Sequence, residues 1–401
     1  MKTMATYFQN SKEAPVVYGE INLINPKRRK LKEEPLLEGI EAFPVFCGFC
    51  GTDLALMRMG QRGELSKKFP PCQNRLINGH EGIVYVPSEK RFAIVLIRGG
   101  DSHDPTRYTE GESYFEYGCD GADGIFCDKG YFNPDMLLRI PTKYTMDKKI
   151  PLSLAKRLVF SDPYACAVFQ HERITDLGIG QNFRVEMAKR KCSPEEAMHY
   201  AESSTFDRVV VFGMGTTGLF MGDQVRRNHP YAKLLFVDKC EDNCKKVLFA
   251  KDTLNCNYLC CENMSEAETA SAIVEQLEGK ATVFIGASGS ETEHRIAFKH
   301  EALGCNGIYD SFSLGPTVSF DTMPFGFKNQ IIFSSINFTQ KHMEKAISLL
   351  CDSRFDLLVD LIDKDEFTDS PMNAYVEKIY TKSALLKTAV IWNPQYIDET
   401  R

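Results

Sequence analysis

Four residues in the first half of this chain have side chains suited to a transition-metal ion. Cys50, His80, Glu81 and Asp162 supply a thiol, an imidazole and two carboxylates, each beside a turn. Zinc takes these donors, and a catalytic zinc site keeps one coordination position open. Spacing alone does not make the four neighbours. Cys47 and Cys50 form one CxxC pair, but no second pair at zinc-finger spacing accompanies it, and there is no HExxH. On the residues alone, a buried structural thiol suffices for Cys50 and a backbone-bonded core histidine for His80. Asp162 precedes Pro163, which is helix-cap chemistry.

A second constellation lies further on. Val209-Val210-Val211-Phe212 is an apolar, β-branched run that predicts a strand buried on both faces of a parallel sheet. Gly213-Met214-Gly215-Thr216-Thr217-Gly218 follows at once. The pattern predicts a helix from Thr216 to about Arg227, ended by Asn228-His229-Pro230. Leu234–Val237 is the next strand, and Asp238 stands at its end, twenty residues past Gly218. Strand, three glycines, helix, strand and acid in this order form a dinucleotide fingerprint. The glycines allow a tight turn and close backbone approach, and the helix N-terminus receives a pyrophosphate.

The elements that must carry these residues divide the chain. From Ala42 to about Ile97, short strands alternate with glycine-rich turns, which reads as a β-rich domain with function on its loops. Gly118–Gly124 is another such loop, and Asn133-Pro134 marks a turn. Helices are predicted over Leu152–Leu158 and Tyr164–Leu177, the second ended by Gly178-Ile179-Gly180. Residues 181–206 are polar, partly helical and insertion-like, with Ser193-Pro194-Glu195-Glu196 as a helix start. Beyond Asp238, helical and strand patterns alternate: Ala270–Leu277 is helical, and Ala281–Ile285, Gly307–Tyr309 and Ile331–Phe333 are strands. That alternation implies a doubly wound parallel α/β sheet. An amphipathic helix over His342–Leu350 and a last strand over Thr388–Trp392 return to the first domain. The expected division is a catalytic domain over 1–180 and 337–401, and a dinucleotide-binding domain over 181–336.

With 401 residues the chain has room for two or three domains. Its net charge of −6 argues against nonspecific nucleic-acid binding. The basic run Lys27-Arg28-Arg29-Lys30 reads as a solvated turn. Residues 1–15 lack the apolar core of a signal peptide, and no apolar run is long enough to span a membrane. A cytoplasmic location with reduced thiols is expected for the 14 scattered cysteines.

Gly48-Phe49-Cys50-Gly51-Thr52-Asp53 together with Gly79-His80-Glu81 resembles the zinc-dependent medium-chain dehydrogenase/reductase family. The order of motifs fits: metal residues first, Rossmann unit in the middle, then a C-terminal return. The segment Glu116–Gly124, and Ser335-Ile336-Asn337 followed by His342, make glucose and polyol dehydrogenases the nearest look. The resemblance covers about 42–392 apart from 181–206. It implies a GroES-like catalytic domain and a Rossmann domain. It also implies one catalytic zinc held by Cys50, His80 and Asp162, with Glu81 directly or indirectly in the shell. Thr52 matches a hydroxyl that relays the substrate proton, Glu116 a carboxylate that binds sugar hydroxyls, and Asn337 a residue near nicotinamide. A homo-oligomer is implied as well.

Two departures stand out. The stretch Arg98–Glu116 lacks the four cysteines of a structural zinc, so none is expected, and Asp162 replaces a family glutamate. Asp238 favours NAD over NADP, with Lys239, Lys245 and Lys246 opposing it. The substrate expected is a sugar, polyol or sugar phosphate. A reductase forming a polyol phosphate of the ribitol-phosphate type is an alternative, with Arg98, Arg107 and Lys129 as candidate cations. A catalytically silent nucleotide-binding relative is the other.

Overall fold

A computed structural model describes residues 2–23, 25, 27–28, 37–71, 73–99, 115–145, 148–313, 322–335, 338–376 and 386–400. The chain divides into two compact units, Met1–Ala165 with Phe338–Arg401, and Cys166–Asn337.

The first unit is β-rich. Its main sheet runs in the order Leu137–Arg139, Arg91–Val95, Glu81–Val86, Ile40–Gly48, Lys387–Ile391, Val359–Ile362, and Gly130–Phe132 also pairs with Ile40–Gly48. The C-terminal strand Lys387–Ile391 thus lies beside the strand that leads into Cys50. Register puts Gly48 opposite both Glu81 and Ala389. A Cβ at Gly48 would sit 2.5 Å from Val159 and 3.3 Å from the Lys387 stem, so the glycine makes room for that lysine. Behind the turn, the Phe49 ring packs against Phe126 at 5.1 Å and Phe367 at 4.9 Å. Burying such a ring stabilises by about 1.5–3 kcal/mol, which anchors the backbone next to Cys50.

A helix over Gly51–Gln61 follows at once and was not expected. Its two glycines disguise it, yet Leu54, Met57 and Gly60 fall on one buried stripe at helical spacing. The Cys50 amide donates to Asp53 Oδ2 at 3.0 Å and caps the start.

The second unit is a six-stranded parallel sheet in the order Asn257–Cys260, Lys233–Asp238, Arg208–Phe212, Ala281–Gly286, Leu303–Ser311, Ile331–Phe333. This is the doubly wound order, with its switch point beside Arg208–Phe212. The helix after the glycine turn spans Thr216–Asn228. Helix Lys245–Leu254 and strand Asn257–Cys260 lie where no element was expected.

One boundary needs correction. Helix Leu152–Leu158 lies where expected, but Gly178-Ile179-Gly180 does not end the next one, which runs from Ser161 to Arg190 and starts within the expected separating segment. The glycine at 178 serves packing, because a Cβ there would lie 2.2 Å from Thr205. The chain turns at Lys191, with φ of 50°, before Ser193 caps the helix Pro194–Thr205. Among the described residues, no helix is long and apolar enough to cross a membrane.

Candidate functional site

The first unit brings three of the four candidate ligands together. One donor atom each from Cys50, His80 and Glu81 lies within 4.8 Å of the others. Three elements supply them: the cap of helix Gly51–Gln61, the turn at Gly79, and the first residue of strand Glu81–Val86. Gly79 has φ of +80°, and a Cβ there would meet Phe126 at 2.4 Å, so this sharp turn into His80 requires glycine.

Asp53 ties the pieces. Its carboxylate accepts from the Cys50 amide and, at 3.3 Å, from the Gly79 amide, and lies 3.6 Å from His80 Nδ1. Cys119 Sγ is 3.2 Å from the same nitrogen. Nδ1 is therefore engaged, which leaves Nε2 as the atom that could ligate a metal, the ring being oriented as outer partners orient metal-bound histidines. Burial pushes the Cys119 thiol up to about 11, partly offset by His80.

Glu81 forms a buried ion pair with Lys387. Burial works against the Lys387 ammonium, but Glu81, Cys50 and Asp162 outweigh it and raise its pKa. Asp162 stands just outside the three. Its Oδ1 is 3.4 Å from Arg98 Nη1, while Arg98 Nε donates to Glu116 at 2.6 Å. Burial raises the Asp162 pKa despite Arg98. Thr52 is exposed, with its hydroxyl 3.7 Å from Cys50 Sγ. Asn337 and Arg107 lie outside the described residues. Asp53 and Cys119 stood in the quoted motifs with no role at this site, and Lys387 went unmarked; Asp53, three residues past Cys50, carried a capping signal, whereas Lys387 is 306 residues from Glu81 and carried none.

The second unit builds the glycine turn. Gly213 has φ of +101°, and a Cβ on Gly218 would lie 2.0 Å from the Gly213 carbonyl oxygen. Gly215 caps the helix, so Thr216, Thr217 and Gly218 form its first turn, with amides pointing outward. Asp238 accepts from the amides of Met214, Lys239 and Cys240, and Lys246 Nζ stands 4.0 Å away. Burial pushes the carboxyl up, but Lys246 and these amides bring it below its ordinary range.

No family model matches this chain, and no curated protein matches it. Solved structures do. Glucose dehydrogenase from Haloferax mediterranei superposes with a TM-score of 0.66 at 17% identity, over 97% of this chain and 99% of that one. 2R,3R-butanediol dehydrogenase from Bacillus subtilis gives 0.66 at 17% identity over the same shares. L-idonate 5-dehydrogenase from Escherichia coli gives 0.65 at 15% identity over 98% of each chain. At these identities the likeness establishes the fold: this chain has the two-unit fold of the medium-chain dehydrogenases, the fold its motifs resemble.

Proposed function

We propose that this chain is a zinc-dependent dehydrogenase that moves hydride between a nicotinamide dinucleotide and a sugar or polyol. The observation that carries this reading is the convergence of Cys50, His80 and Glu81 within 4.8 Å, on a fold that also carries the glycine turn. One thiolate, one imidazole and one carboxylate suit zinc. When bound, zinc would polarise a substrate oxygen as a Lewis acid, and the nicotinamide would accept or supply hydride.

The chain's own residues do the rest. Asp53 and Cys119 hold the His80 ring, and Lys387 holds one oxygen of Glu81, leaving the other to ligate. The exposed Thr52 hydroxyl, next to Cys50, passes the substrate proton to water. Glu116 orients a further substrate hydroxyl. Arg98 is committed to Glu116 and Asp162, which weighs against a phosphate there and hence against the polyol-phosphate reading. The names of the similar structures support the substrate class, and one is a glucose dehydrogenase in complex with NADP, Zn and gluconolactone. Asp238 stays ionised and opposes a 2′-phosphate, so NAD is the preferred cofactor, with Lys246 narrowing the margin.

The test is metal analysis of the purified protein beside a spectrophotometric screen of polyols, aldoses and their phosphates with both cofactors. About one zinc per chain and turnover of an unphosphorylated polyol or aldose are expected. Zinc-free protein that binds nucleotide but turns over nothing would overturn the reading and favour a silent relative.

A further inference from the structure

Asp162, expected among the metal ligands, does not join them. Its partner is fixed in place from three sides. Arg98 stands directly opposite Glu116 in the antiparallel pairing of Arg98–Gly99 with Phe115–Tyr117. Its Nε donates to Glu116 at 2.6 Å, its guanidinium lies 5.5 Å from the Phe338 ring centroid, and Nη1 is left to meet Asp162 at 3.4 Å. The side chains of Arg98, Asp162 and Glu116 keep only 16%, 12% and 19% of their exposure. A planar guanidinium committed at Nε has a fixed direction for its remaining donors, which a lysine could not reproduce.

Asp162 is itself restrained, since it sits in the first turn of helix Ser161–Arg190. The two acids of the site therefore differ. Glu81 gives one oxygen to Lys387 yet keeps a ligand atom in the three-residue cluster, whereas Asp162 contributes none.

We infer that Arg98 is a positioning residue that holds Asp162 out of the metal's inner shell. Cys50, His80 and Glu81 then form the whole protein shell, and the fourth position stays open for the substrate oxygen. Without Arg98, the Asp162 carboxylate loses its ion-pair partner and would turn onto the metal, filling that position. This inference rests on the zinc reading given above.

The experiment is a chelator competition on the intact protein loaded with zinc, paired with the absorption spectrum of the cobalt(II)-substituted form. Asp162→Asn should change zinc affinity less than about threefold. Arg98→Met should tighten zinc at least about tenfold and shift the cobalt visible bands as a carboxylate replaces the solvent oxygen at the open position. The double variant Arg98→Met with Asp162→Asn should return both readouts to the starting values, which a merely structural arginine would not produce. A tenfold loss of zinc affinity in Asp162→Asn makes Asp162 a ligand and overturns the inference, a result that stands even if Arg98→Met does not fold. Unchanged zinc affinity and an unchanged spectrum in folded Arg98→Met overturn it too. A starting protein that takes up neither metal instead sinks the zinc reading itself.

Discussion

Two places in this molecule bury a pair of carboxyl groups, and they are built on opposite terms. In the first unit, Glu81 faces Lys387 and Asp162 faces Arg98, so each acid has its own cation. In the second unit, Glu293 and Asp310 are 1% and 0% exposed, and among the described residues neither forms an ion pair. Glu293 accepts from the amide and hydroxyl of Ser288, at 3.0 and 2.6 Å. Among the described residues, neither oxygen of Asp310 has a hydrogen-bond partner, and burial holds its pKa well above the usual carboxylate range. A charge is kept in a protein interior only where something compensates it. The first pair thus has a cation for each acid beside a thiol and an imidazole, a set of donors suited to a metal ion. The second pair is arranged to stay neutral.

The largest expected effect comes from removing what the charged pair serves. Cys50→Ala and His80→Ala should each abolish zinc binding and lower kcat by at least about a thousandfold, since each removes a ligand of a three-ligand site. Nucleotide affinity, followed by NADH fluorescence, should stay within about twofold, because the glycine turn belongs to the other unit. Full zinc content in either variant would place the metal elsewhere.

A second variant makes the first pair resemble the other. Lys387→Met leaves Glu81 buried without its cation, and breaking a buried pair from one side costs about 3–5 kcal/mol. The metal-free variant should therefore unfold at a clearly lower denaturant concentration than the metal-free parent. Zinc should recover much of the loss, because a metal ion on Glu81 takes over the role of the ammonium. Equal midpoints in the metal-free forms would mean that Glu81 is solvated well enough to need no partner.

The contrast also explains what could be anticipated from the amino-acid order. The glycine turn is made of backbone, and the residues it needs run from Val209 to Asp238 without interruption. Local sterics dictate it, so strand, turn, helix and acid were all legible. The parallel sheet followed from the same alternation. The metal cluster is made of side chains drawn from distant segments, and spacing carried no record of their meeting. Cys50, His80 and Glu81 stood out by chemical type and by the resemblance of their surroundings. Lys387 lay in a strand recognised only by its apolar neighbours. Arg98 was noticed as a possible phosphate ligand, but its capture by Glu116 depends on a cross-strand register. The long helix Ser161–Arg190 was misjudged because glycine more often ends a helix, while here the packing of Thr205 demanded one inside it.

The smallest effect expected is on pH, and it isolates the uncharged pair. Asp310 ionises near 3.9 in an unfolded chain, and its folded value is raised well above that. Between the two values the folded protein keeps the proton and the unfolded chain has lost it. The folded state then binds more protons, so stability falls as pH rises from about 4 and levels off only above the folded pKa. One proton contributes a slope of up to about 1.4 kcal/mol per pH unit. Asp310→Asn carries no titrating proton and should lose this component. Denaturant unfolding of parent and variant across pH 5–8 should show the variant gaining relative stability as pH rises, with the difference growing until the folded acid ionises. Glu293 remains in both proteins, so its own raised pKa largely cancels from the comparison. If the two curves run parallel across that range, Asp310 is already ionised in the folded protein. The second unit would then hold a buried carboxylate that stays ionised without a cation, and the opposition between the two pairs would fail.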